Sequence, residues 1–125
     1  LKLSAAPIRN VIQNNGPAIA RVVDLIHIQA QKLQCTPSAL ATEMNALIPP
    51  LRAANPAIIV QVQFSIGAAI PADLTVLKNF ANTVLSVPAN AKPNTIGWWV
   101  QGDANLAIIG QWLDWYNATY RSTVA

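Results

Sequence analysis

Leu25-Ile26-His27-Ile28-Gln29-Ala30-Gln31 alternates residue by residue, and the same alternation returns in Val60-Gln61-Val62-Gln63-Phe64 and in Trp98-Trp99-Val100-Gln101-Gly102-Asp103. In each stretch the even positions are apolar or small, and the odd positions turn polar toward the C-terminal end. A strand sends successive side chains to opposite faces. Each stretch therefore reads as a strand with one apolar face and one face that becomes amide-rich toward its end. Side by side and parallel, three such strands gather their amides into one polar patch.

Helical periods separate these strands. Thr36 is placed to cap a helix with Pro37 at its first position, and Leu40, Met44, Leu47, Ile48 and Leu51 fall on one face. Pro49-Pro50 is expected to kink or break that helix near its end. Pro71 is expected to begin the next helix, with Asp73 in its first turn and a buried stripe of Leu74, Leu77, Ala81, Val84 and Leu85. Asp103 is placed to cap a last helix carrying Leu106, Ile109, Leu113 and Tyr116. At the front, Pro7 to Gln13 reads as a short helix stopped by Asn14-Asn15-Gly16.

The strand centres His27, Gln61 and Trp99 lie 34 and 38 residues apart, the spacing of strand–helix units joined by crossover helices. Such crossovers are right-handed and give a parallel sheet. The fold class expected is α/β: parallel strands alternating with helices, a partial (β/α) barrel of three βα units. A complete eight-stranded barrel takes roughly 200 residues or more. The 125 residues are thus read as a single domain, 1–125, that is part of a larger barrel or a half-barrel that assembles.

Composition narrows the function classes. Hydrophobic residues make up 53% and charged residues 10%, against a usual charged share of about a quarter; disorder needs the opposite balance. The net charge is +3, but the basic residues are scattered, and phosphate binding needs several cations on one face. Nucleic acid is not expected as a partner. No apolar run approaches the roughly 18 residues that cross a bilayer, so a membrane is not expected either. Cys35 is the single cysteine, without a companion for a disulfide or a metal site; no metal and no cofactor are expected. Few Lys and Glu with many Ala, Asn, Gln and Thr suit an extracellular protein, and Asn117-Ala118-Thr119 fits the glycosylation acceptor pattern.

In parallel α/β folds, ligands sit at the C-terminal ends of strands. The ligand-binding candidates are then Gln29, Gln31, Gln63, Trp99, Gln101 and Asp103, with Ser65 beside them. Amides both donate and accept, so they suit hydroxyl groups, and Trp offers a flat face on which a sugar ring can stack. The blander alternative is a polar interior layer whose glutamines satisfy one another. Asp103 has a competing role as helix cap. Glycoside hydrolysis wants two carboxylates; Asp24 opens a strand at the wrong end, and Glu43, Asp73 and Asp114 lie on helices, so no catalytic pair emerges. His27, in mid-strand, reads as a hydrogen-bonded interior histidine. Trp112 and Trp115 read as core or interface residues.

Val23-Asp24-Leu25-Ile26-His27-Ile28-Gln29-Ala30-Gln31 resembles the sixth strand of family 18 glycoside hydrolase barrels of the plant chitinase (hevamine-like) type. Ile58 to Phe64 is similar to the seventh strand, and Ile96-Gly97-Trp98-Trp99 to the eighth, which ends in a Trp forming the floor of the sugar site. The resemblance spans about Val22 to Tyr116. It implies a sugar-facing pocket, with Gln29 and Trp99 as the residues that carry over. The family's acidic motif, Asp-x-x-Asp-x-Asp-x-Glu, is absent, and its sixth-strand Tyr falls at Gln31. Hydrolysis by this chain alone is therefore not implied, and catalytic residues stay unassigned.

Two functions are expected from these readings. One is a glycoside-hydrolase-like barrel segment lining a pocket for a neutral oligosaccharide or other hydroxyl-rich ligand. The other is a non-enzymatic α/β domain, a homo-oligomer that self-associates through its open sheet face and Trp-rich last helix. The expected core joins Ile26, Ile28, Val60, Val62, Leu47, Leu77, Leu85, Leu106 and Leu113.

Overall fold

A computed structural model describes residues 2–67, 72–102 and 105–121. The elements run β1 (Ser4–Ala5), α1 (Arg9–Ala20), β2 (Leu25–Gln29), α2 (Pro37–Ala54), β3 (Ile59–Ile66), α3 (Leu74–Ser86), β4 (Thr95–Val100) and α4 (Leu106–Tyr116). Short 3-10 turns cover Gln31–Leu33 and Ala89–Ala91, and a π-helical turn, Asn117–Arg121, follows α4. The four strands form one all-parallel sheet in the order β1-β2-β3-β4. The α/β partial barrel therefore has four βα units where the alternation predicts three. The extra strand, β1, is two residues long, too short to show a period.

β2 and β3 follow the alternation. Ile26, Ile28, Val60, Val62, Phe64 and Ile66 are all at most 3% exposed, whereas His27, Gln61 and Gln63 on the other face are half-buried. Sequential strand order with crossovers of one hand puts every helix on the same side of the sheet. Neighbouring helices pack together in turn, α1 on α2, α2 on α3, α3 on α4. Among the described residues, the other face of the sheet carries no helix. β4 spans Thr95–Val100, earlier than the predicted Trp98–Asp103, because the register pairs Gln61 with Thr95 and Ile66 with Val100.

The helices depart from expectation at their prolines and glycines. α1 is not stopped by Asn14-Asn15-Gly16 but runs on through Pro17 to Ala20. Gly16 is buried where α1 crosses α2; a Cβ there would stand 2.9 Å from Leu51 Cδ2, so glycine permits the close approach. α2 likewise continues through Pro49-Pro50 to Ala54. The two prolines leave the carbonyls of Asn45 and Ala46 without helical donors, and both residues are exposed, so water can serve them.

Asp73 proves to be the N-cap of α3 rather than a first-turn residue, accepting from Val76 N at 2.8 Å. The predicted start at Pro71 lies outside the described residues. Leu47 and Leu77 join the core as predicted, and Leu85 and Leu113 are half-buried. Leu106, predicted as core, is 56% exposed. It opens α4, which among the described helices packs against α3 alone. Ile109 and Trp112 anchor α4 instead, with Trp112 Nε1 donating to Leu77 O at 3.0 Å.

Candidate functional site

The uncovered sheet face holds a compact polar cluster. His27 and Gln61 are direct cross-strand partners, and Gln63 follows two residues along β3. Gln61 Oε1 lies 2.7 Å from His27 Nδ1 and accepts from Gln63 Nε2 at 2.8 Å. The Gln63 amide nitrogen is 3.1 Å from the same imidazole nitrogen. Nδ1 thus stands between an amide acceptor and an amide donor: protonated it donates to Gln61 Oε1, unprotonated it accepts from Gln63 Nε2. Gln61 Nε2 and Gln63 Oε1 have no protein partner among the described residues, so each amide keeps one group for a ligand or water. Gly97 makes room for the cluster: a Cβ there would stand 2.6 Å from both Cδ and Oε1 of Gln61. His27 is thus hydrogen-bonded and half-buried, as its mid-strand position suggests.

The other candidates spread over the strand ends. Gln29 ends β2 opposite Gln63 and donates to Ala6 O at 2.9 Å. Gln31 lies beyond the strand, in the first 3-10 turn, because β2 stops at Gln29. Trp99 pairs with Ser65 and stands on the uncovered side, 53% exposed. Trp98 points to the helix side, its ring 6.4 Å from Phe64 and 6.0 Å from Trp112. Gln101 follows β4, exposed, its N–H bonded to Ile66 O at 2.9 Å. Asp103 lies outside the described residues. The structure thus brings Gln29 and Gln63 together in register and sets Trp99 along the same face, while Gln31 and Gln101 flank it.

Two features escape sequence reasoning. Gln34 clamps the backbone of Ser65 from both sides, donating to its carbonyl at 3.1 Å and accepting from its N–H at 3.0 Å. Ser65 is only 1% exposed, and its Oγ has no hydrogen-bond partner among the described residues. The second feature is Glu43, which the helical pattern assigns to α2 without a role. It is buried and pairs with Arg9 from α1. Both contacts join residues more than thirty positions apart, and neither leaves a periodic trace.

That pair lines a cleft of about 930 Å³ between the first turns of α1 and α2, at the C-terminal ends of β1 and β2. Gln29, Gln31 and Lys32 line it too, over an apolar floor that includes Ile12 and Ile28. The hydrogen bond to Glu43, and then its charge, hold the Arg9 pKa above its ordinary value, so the guanidinium stays charged. Among the described residues, no three His, Cys, Asp or Glu side chains gather into a metal-binding group, and no helix is long and apolar enough to cross a membrane.

Comparison with protein-family models, curated proteins and solved structures finds no match. The site must be read from its own chemistry.

Proposed function

We propose that this chain is a carbohydrate-binding segment of a (β/α) barrel of glycoside-hydrolase type, which reads a hydroxyl-rich ligand across the C-terminal ends of its strands. One observation carries this reading: the polar cluster and the half-exposed Trp99 share the sheet face that no helix covers among the described residues. Gln61 and Gln63 hold half of their amide groups in reserve, and amides are suited to sugar hydroxyls. Trp99 supplies an apolar plane for the ring. The arrangement binds and orients; among the described residues no carboxylate pair stands on this face to cleave a glycosidic bond.

Nuclear magnetic resonance of the Gln side-chain amides tests the proposal. Saturation with chitin or glucan oligomers is expected to shift the Nε2 resonances of Gln29, Gln61 and Gln63. Resonances that stay in place with every oligomer contradict it.

A second reading is favoured by where the exposed apolar residues sit. Of the eight large apolar residues that are exposed among the described residues, Ile8 and Val11 lie on the β1–α1 side, Trp98 and Leu106 on the β4–α4 side, and Ile59 and Trp99 on the uncovered face; Leu3 and Val22 lie in the connections outside the strands and helices. A parallel sheet normally has both faces covered. Self-association through the uncovered face would bury Ile59 and Trp99, and a dimer in sedimentation at tens of micromolar supports it. A strict monomer there contradicts it.

A further inference from the structure

Glu43 and Arg9 differ sharply in exposure: the carboxylate side chain is 9% exposed and the guanidinium side chain 58%. A buried carboxylate needs a charged or hydrogen-bonded partner, and Arg9 Nε–H supplies it. The Nη groups of Arg9 have no protein partner among the described residues. Arg9 is therefore fixed at its inner edge and open at its outer edge, where a planar fork of donors matches a carboxylate. Lys32 lines the same cleft, exposed and without a protein partner among the described residues. Glu43 is the one acid among the cleft's lining residues, and Arg9 already neutralises it. The cleft thus presents a net positive charge beside Gln29 and Gln31, which offer amides for hydroxyls.

We propose that this cleft is a subsite for an acidic sugar unit, whose carboxylate is held by Arg9 and Lys32 and whose hydroxyls are read by Gln29 and Gln31. The assignment rests on the carbohydrate reading above and names a substrate class for it, a saccharide that carries at least one uronate. Glu43 acts as a positioning residue, since it reaches the ligand only through Arg9.

Calorimetric titration with a galacturonate tetramer, a neutral galactose tetramer and citrate tests this assignment on the intact protein. The acidic tetramer is expected to bind roughly tenfold tighter than the neutral one at low ionic strength, as a charge-assisted contact allows. That preference should shrink in high salt. Lys32→Gln, an exposed change that leaves the core untouched, should remove most of it. Arg9→Lys keeps the charge but loses the fork and should weaken the acidic tetramer alone. Equal affinity for both tetramers, or an unchanged preference in Lys32→Gln, overturns the acidic subsite and leaves the carbohydrate reading standing. Citrate binding as tightly as the acidic tetramer also overturns it, because hydroxyl recognition then plays no part. Silence with both tetramers overturns the acidic subsite, and silence with chitin and glucan oligomers as well overturns the carbohydrate reading with it.

Discussion

Gln61 fills the space that Gly97 leaves open on the neighbouring strand: a Cβ at position 97 would meet the Gln61 amide at 2.6 Å. The same amide oxygen receives both His27 and Gln63, so this one glycine sets where three polar side chains sit. Gly97→Ala should force Gln61 out of place and cost about 1–3 kcal/mol, the range of overpacking. In the double variant Gly97→Ala/Gln61→Ala the clash disappears, and at least about 1 kcal/mol should be regained relative to the sum of the single changes. Chemical denaturation of the four species measures this coupling. Strict additivity would mean that the two residues do not share the space.

Ser65 offers the opposite case. Its hydroxyl is buried and unpartnered among the described residues, and Gln34 holds only its backbone. Ser65→Ala removes a desolvated polar group and should be neutral, or stabilising by up to about 1 kcal/mol. A loss of more than about 1 kcal/mol in urea unfolding would reveal a partner for Oγ.

Val62 sits at 0% exposure in β3, between Ile28 of β2 and Ile96 of β4. Val62→Asp would bury an unpaired charge in the layer between sheet and helices. The cost should be roughly 3 kcal/mol or more, which can exceed the stability of a small domain. Circular dichroism of the variant at room temperature should show loss of the folded signal. A native melting temperature contradicts the core placement.

β2 and β3 were legible because period two survives in them: burial at Ile26, Ile28, Val60 and Val62 follows the odd–even pattern directly, whereas in β4 the adjacent Trp98 and Trp99 are both exposed. The helical stripe Leu40, Met44, Leu47, Ile48, Leu51 was equally readable. What stayed hidden has physical causes. β1 is too short to alternate. The breaker signal at Asn14-Asn15-Gly16 is overridden by packing, since Gly16 earns its place against Leu51 rather than in a turn. Leu106 matches the apolar stripe of its helix, yet the sequence does not say that the helix starts at an edge. Within the site, the facing of Trp98 and Trp99 follows from parity, while the Arg9–Glu43 pair and the Gln34 clamp arise from tertiary contact alone.

The shorter of the two contacts at His27 Nδ1 is to the acceptor Gln61 Oε1, 2.7 Å against 3.1 Å to the donor Gln63 Nε2, and this favours the Nδ1–H tautomer of the neutral ring. Long-range proton–nitrogen correlation spectra at alkaline pH should show Nε2 with the shift of an unprotonated nitrogen. Gln61→Ala should release the preference toward a mixture of tautomers. An Nε2-protonated ring in the unmodified protein contradicts that assignment.

The two adjacent tryptophans give the most direct measurement of sugar binding on the uncovered face. Trp99 stands on that face, and Trp98 packs with Phe64 and Trp112 on the other. Losing a stacking platform should cost on the order of 1–3 kcal/mol, by analogy with aromatic stacking on nucleobases, which is roughly a 5- to 150-fold weaker complex. In fluorescence titration with chitin and glucan oligomers, Trp99→Ala should lose affinity by that factor. Trp98→Ala should keep its affinity and lower the melting temperature. Equal affinities in the two variants, or no response to any oligomer in the unmodified protein, would contradict a sugar site on this face.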